Sequence, residues 1–263
     1  MLGAHQKIDR VARVHLRKVL PKGTVFPSTR DILHFEGNNG PDGIKRKSPA
    51  KDEPWHYIDP TNPKDCVLIE HISNHSHNLT VALAEDNYER ASFEAAWLAH
   101  AIVDGLTPAH HYPLSEKIEE LWGHPKEFRT SFKQKNFIKG HNYRDTVMKN
   151  WEYWGAKGVF TTHFMFEFGF ATTIATLKIP NGKPNPNELI RVQGEGIIPY
   201  FREAAMQVYG MQMYETFHKS GWTRKLARQT KLELAPLITK IVTLAWFEAA
   251  MKAQQLRSTS NEA

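Results

Sequence analysis

The sequence contains a single cysteine, Cys66, so no disulfide can form within the chain. We therefore expect a fold that does not depend on an oxidising compartment. Residues 1–20 also lack an apolar run of seven or more residues, because four basic residues interrupt them. This absence argues against a secretory signal. As written, the chain is expected to be cytoplasmic, or secreted if a signal belongs upstream of it.

Almost no segment alternates apolar and polar residues in the way that strands do. Apolar residues instead recur at helical spacing before Pro21, over residues 67–103 and in two long segments, 187–219 and 223–256. Residues 21–65 are rich in Pro, Gly and Asn, which predicts a long loop with a short helix. No break in composition divides the chain. We expect an all-α fold with a single multi-helix domain over residues 1–263.

One apolar segment, residues 158–177, approaches the length of a transmembrane helix. It carries His163 and Glu167, two ionisable groups on one helix face, which would be costly in lipid. A buried core helix with functional groups is the better interpretation. Because phenylalanines surround the pair, both polar groups would be buried and would need a partner such as a metal ion.

Histidine is abundant, with fourteen residues in the chain, and it raises the expectation of metal chemistry. His100 and Asp104 are four residues apart and therefore project from one helix face. Gly105 and Pro108 then stop the helix, so that His110 can return to the same point. Two imidazoles and a carboxylate brought together in this way bind zinc and similar ions. The alternative, that Asp104 only orients His100 or caps a turn, stays open at this point.

The net charge of +6 favours anionic partners such as phosphate esters, nucleic acid or acidic lipid surfaces. The basic residues are spread along the chain. This distribution is more typical of a solvated surface than of a dedicated nucleic-acid footprint.

The motifs together resemble the zinc-dependent phospholipase C family. The resemblance is carried by three elements, which are His56-Tyr57-Ile58-Asp59-Pro60, His100-x3-Asp104-x5-His110 and His163-x3-Glu167. That family shares its helical fold and trinuclear zinc site with the single-strand-specific nucleases. The resemblance implies a zinc-hydrolase domain of this type, which cleaves the phosphodiester of phospholipids with a metal-activated water.

The resemblance also implies which residues bind two to three zinc ions. A first zinc would be held by Asp42, His56, His100 and Asp104. A second zinc would be held by His110, His163 and Glu167. Asp104 would bridge to a third, held by His5. Asp42 and Asp104 would be the catalytic residues, with Asp42 both a ligand and the general base for the attacking water.

Several assignments have rivals. His15 competes with His5 as the ligand from the first helix. The pair His141 and Asp145 competes with the later His-x3-Glu pair, because the nuclease branch uses Asp there. In the family an N-terminal Trp binds the third zinc through its amino group and carbonyl, whereas this chain has Met1 four residues before its first histidine.

Three functions are compatible with these motifs, and the first is the phospholipase C described above. The second is a single-strand nuclease or 3'-nucleotidase, for which Tyr57 and Asp59 resemble a base-binding pair, although secreted nucleases of this branch commonly use disulfides. The third is a non-catalytic, zinc-stabilised helical module that binds a partner or membrane through Trp151, Trp154 and Trp222. The expected partners are a phospholipid or other phosphodiester, nucleic acid as the alternative substrate, and a membrane surface contacted peripherally. The protein is expected to be a monomer.

Overall fold

The computed structural model describes residues 3–47 and 55–261. They form a single all-α domain that is 75% helical, and no strand occurs in these two ranges. The prediction of an all-α domain is confirmed. The helices are α1 (Ala4–Val19), α2 (Thr29–His34), α3 (Pro41–Lys47), α4 (Val67–Ala84), α5 (Tyr88–Gly105), α6 (Leu114–Trp122), α7 (Phe132–Asn136), α8 (Tyr143–Trp154), α9 (Val159–Ile174), α10 (Pro186–Glu195), α11 (Ile197–Gly210), α12 (Met213–Ser220), α13 (Arg224–Gln229) and α14 (Ala235–Asn261).

Helix α14 lies at the centre of the domain and packs against α1, α4, α5, α10 and α11. Its Trp246 is fully buried, and the indole Nε1 donates a hydrogen bond to the carbonyl oxygen of Ala95 at 2.9 Å. A π-helical turn, Thr230–Leu234, joins α13 to α14. Among the described residues, this continuous helix is the one that is long and apolar enough to cross a membrane, but 83% of its apolar window is buried in the protein. It is therefore a core helix.

The predicted long helix over residues 187–219 is divided into α10, α11 and α12. The helical conformation is interrupted at Gly196, which has a φ of 82°, and again at Gln212, which has a φ of 49°. Both lie in the left-handed region, which an α-helix cannot continue through. The apolar periodicity persists across these breaks because all three helices use the same core, so periodicity alone did not show them.

Helices α4 and α5 pair along their length and place the candidate site at the end of α5. Helix α5 ends at Gly105, as predicted. A Cβ at this glycine would lie 2.5 Å from the Phe201 ring and 2.8 Å from Leu68, closer than real contacts allow. The glycine thus lets α5 approach α4 and α11 closely at the point where His100 and Asp104 emerge.

The segment that carries His56 is held against the turn after α5. The backbone N–H of Ile58 donates to the carbonyl oxygen of His110 at 3.1 Å, and His110 Nδ1 lies 2.7 Å from the carbonyl oxygen of His56. Ile58 is buried in the core. These contacts bring the loop and the turn together, so that both contribute side chains to one site.

Candidate metal centre

Asp104 is the centre of the site, and its side chain is 3% exposed. His100 Nε2 lies 3.3 Å from its Oδ2 atom, and His56 Nδ1 contacts the same oxygen directly. On the other side, His5 Nε2 lies 3.3 Å from Oδ1 and His110 Nδ1 lies 3.8 Å from it. One carboxylate therefore faces imidazoles from α1, α5, the loop before α4 and the turn after α5.

A second group forms around Glu167 on α9. Its Oε1 atom lies 2.9 Å from His110 Nε2 and 3.1 Å from His163 Nε2. Helical spacing explains the pair on α9, because residues four apart share a face. The carbonyl oxygen of His56 can only accept, so Nδ1 of His110 carries the proton and its Nε2 faces Glu167. His110 connects the two groups.

Asp42 on α3 completes the site on its open side. Its Oδ1 atom lies 3.8 Å from His100 Nε2, and its side chain is 36% exposed, so the site reaches solvent here. The potential ligand atoms form three groups, and within each group all of these atoms lie within 4.8 Å of one another. They are His5 with His100 and Asp104, Asp42 with His56 and His100, and His110 with His163 and Glu167.

The buried nitrogens fit metal ions. Across the described residues, both ring nitrogens of His5 and the Nε2 atoms of His56 and His100 make no hydrogen bond. A buried polar group without a partner costs about 1–3 kcal/mol. A bound cation would satisfy these nitrogens and the carboxylates among them. The clusters could therefore hold metal ions.

The carboxylates of the site are ionised at neutral pH. Burial works to raise the pKa of Asp104, but His110, His100 and His56 outweigh it and hold the pKa well below its usual value. For Asp42, burial is likewise outweighed by His100 and His5, and the pKa is lowered. These carboxyl groups would have no proton to lose when a cation binds.

The imidazoles divide into two kinds. Burial lowers the pKa of His56 to about 4, so that ring is neutral at pH 7. Burial also works against the charged form of His100, but Asp104 and Glu36 outweigh it and raise its pKa well above the usual value. The pKa of His110 is raised in the same way, with burial outweighed chiefly by Asp104.

Metal uptake by the metal-free protein is expected to release protons. The carboxylates and His56 are already deprotonated at pH 7, whereas the raised pKa values of His100 and His110 favour protonated rings, whose protons a cation must displace. The affinity should therefore rise with pH, by about tenfold per pH unit for each proton released. The measurement is a titration with zinc in the presence of a competing chelator at about pH 6 and about pH 8. The measured affinities are corrected for the pH dependence of the chelator's own zinc affinity. An affinity independent of pH would contradict it.

Glu36 belongs to the site and was missed from the sequence. It is buried, and its Oε2 atom lies 3.4 Å from His100 Nδ1, on the side of the ring away from Asp104. Carboxylates in this position orient histidine ligands. Asp9 is buried nearby, where burial and Glu36 raise its pKa. Asp9 could have been found from the sequence, because it lies four residues after His5 on α1. Glu36 lies in a loop, where no such spacing indicates it.

The rival residues lie elsewhere. His15 is buried with its Nε2 atom 2.9 Å from the carbonyl oxygen of Ile179. His141 is exposed, and Asp145 accepts a hydrogen bond from its backbone N–H at 2.8 Å beside the start of α8. The structure brings neither His15 nor this pair into the clusters. Met1 lies outside the described residues.

Comparison of the chain with protein-family models, curated proteins and solved structures gives no match. The fold and the site define the class of this protein by themselves. It is an all-α domain with linked, buried groups of histidines and carboxylates that could bind metal ions.

Proposed function

We propose that this protein is a zinc-dependent phosphodiesterase of the phospholipase C type, with the fold of that family and of the single-strand nucleases. It would hydrolyse the phosphodiester of phospholipids to diacylglycerol and a phosphorylated headgroup. The proposal rests on one observation, the linkage of three mixed histidine and carboxylate groups through His100, Asp104 and His110. Such mixed donors suit zinc, and clustered cations suit an anionic diester.

Zinc ions bound there would neutralise the diester oxygens and lower the pKa of a bound water. The chain itself supplies the remaining groups. Asp42 lies ionised at the open side of the site, where it would accept a proton from the attacking water. Lys45, whose Nζ atom lies 5.5 Å above the Tyr57 ring, would contact the anionic phosphate at the opening.

A phospholipid substrate is favoured over a nucleotide by the residues beside His56. Tyr57 stacks on His110 with ring centroids 5.3 Å apart. Asp59 Oδ1 accepts hydrogen bonds from the backbone N–H of Thr61 at 2.9 Å and from its hydroxyl at 2.6 Å. Both members of the pair that would bind a base are thus engaged within the protein, which weakens the nuclease alternative.

The function is tested by assaying purified, zinc-loaded protein on each candidate substrate in parallel. We expect release of diacylglycerol from phospholipid micelles, measured by mass spectrometry, with loss of activity in EDTA and recovery on adding zinc. Cleavage of single-stranded DNA or of a 3'-nucleotide without diacylglycerol release would favour the nuclease. Bound metal without turnover of any diester would favour the non-catalytic module.

Of the three tryptophans expected to form the binding surface of that module, two are exposed and one is packed inside the protein. Trp222 packs against Phe166 at a centroid distance of 5.4 Å, and its Nε1 donates to Thr173 Oγ1 at 3.2 Å. It belongs to the core. Trp151 and Trp154, in contrast, are 71% and 43% exposed.

A further inference from the structure

Helix α8 carries an apolar side on the outside of the protein. Tyr143, Val147 and Trp151 follow one another at four-residue spacing and are 86, 50 and 71% exposed. Trp154 lies on the same side one turn further, and the exposed Met148 flanks it. We call these five side chains the α8 face. Proteins rarely expose so many large apolar groups together unless the surface binds a partner.

The segment around the α8 face is basic. Residues 126–157 contain eight Lys and Arg but three Asp and Glu, so this segment carries a charge of +5 out of +6 for the whole chain. Lys133, Lys139 and Arg144 are exposed, as is the ring of Phe132 on α7. Residues 7–22 carry the same net charge of +5, so the basic residues are spread along the chain and the α8 face lies in one of its two strongly basic segments.

The α8 face flanks the opening of the candidate metal centre. Helix α8 packs against α9, which carries His163 and Glu167, and the rings of Trp154 and Phe160 lie 4.8 Å apart. On the other side, Lys135 of α7 donates a hydrogen bond from Nζ to the carbonyl oxygen of Lys45 at 3.2 Å. Lys45 lies on α3 together with Asp42. A partner bound on the α8 face would thus be held beside the entrance to the site.

We propose that the α8 face binds the surface of an anionic lipid bilayer. Tyr and Trp rings combine an apolar body with a polar edge and settle at the level of the headgroups, where Lys and Arg contact lipid phosphates. Val147 and Met148 can enter the acyl boundary but offer no aromatic ring on which a base could stack. A lipid surface therefore fits the five side chains better than a nucleic acid strand. The inference rests on the proposed function in that the bilayer would hold the substrate.

Vesicle co-sedimentation of the full chain tests this inference without turnover. We expect binding to vesicles of phosphatidylcholine with roughly 30% phosphatidylserine, and weaker binding to phosphatidylcholine alone. The double variant Tyr143→Ser with Trp151→Ser should bind about tenfold more weakly or worse. Ile190→Ser is the matched control, since Ile190 is 70% exposed on α10 outside this surface, and it should bind like the parent protein. Circular dichroism verifies that each variant keeps its helix content.

A second variant tests the charge. Lys133→Ser with Lys139→Ser should weaken binding to the anionic vesicles by about tenfold, with little change toward neutral ones. Equal binding by the parent and both double variants would overturn the inference, as would the absence of vesicle binding or binding to single-stranded RNA in its place. Hydrolysis of the soluble diester bis-p-nitrophenyl phosphate is measured in parallel. Its cleavage without vesicle binding means that only this inference fails, and vesicle binding without its cleavage means that only the proposed function fails.

Discussion

Asp104→Asn is expected to leave the protein with about one bound metal ion and to lower the hydrolysis of bis-p-nitrophenyl phosphate by roughly a thousandfold. The carboxylate is buried and faces His5, His56, His100 and His110. An amide of the same size removes the negative charge that these imidazoles and their cations share. Because Asp104 links the groups that include His100, metal at both of those groups should be lost. Metal content is measured by mass spectrometry on the purified variant.

Asp145→Asn is the matched control for this experiment. Asp145 also follows a histidine, but its carboxylate accepts a hydrogen bond from the backbone of His141 at the surface. The control should keep its metal content and its diesterase activity. Equal metal content in Asp104→Asn and the parent protein would refute the placement of Asp104 at the centre of the metal site.

His163→Gln is expected to lose the metal ion of the group around Glu167 and to reduce diester hydrolysis by about a hundredfold or more. The His163 Nε2 atom lies 3.1 Å from Glu167 Oε1, which it shares with His110. Glutamine stays polar and similar in length, so the helix should be retained, but its amide is a poor ligand for zinc. The remaining two side chains do not complete a site, because zinc takes three protein ligands or more.

His141→Gln provides the comparison for this second variant. His141 is exposed, and its replacement should change neither the metal content nor the activity. Substitution with cobalt gives a second readout, since the visible absorption of the bound cobalt should lose one component in His163→Gln and stay intact in His141→Gln. If His141→Gln lost metal while His163→Gln kept it, the rival pair would be the ligand pair.

The local features of this site followed from the sequence. Four-residue spacing places His100 beside Asp104 and His163 beside Glu167, because residues four apart share a helix face whatever the fold around them. Pro108 begins the turn that follows the end of α5 at Gly105, and the structure shows His110 returning to Asp104 through this turn. The all-α class followed from the same periodicity. Each of these features depends on backbone geometry over a few residues.

The choice among equivalent patterns was made by the tertiary structure. His141 and Asp145 have the same kind of spacing as the pair on α9, but α8 presents them at the surface, while α9 turns its pair toward His110. Spacing alone does not specify which face of a helix packs inward, because this depends on its neighbours.

The two histidines of α1 also show what the sequence determined and what the tertiary structure decided. His5 and His15 are ten residues apart, about 15 Å along the helix axis, so a single site cannot include both. The sequence determined that α1 carries histidines on a partly buried helix. The packing of α1 against α5 and α14 decided that His5 meets Asp104, while His15 meets the carbonyl oxygen of Ile179. Glu36 reached His100 across 64 positions of the chain in the same way, because a contact between distant residues is set by how the helices pack and not by any local pattern.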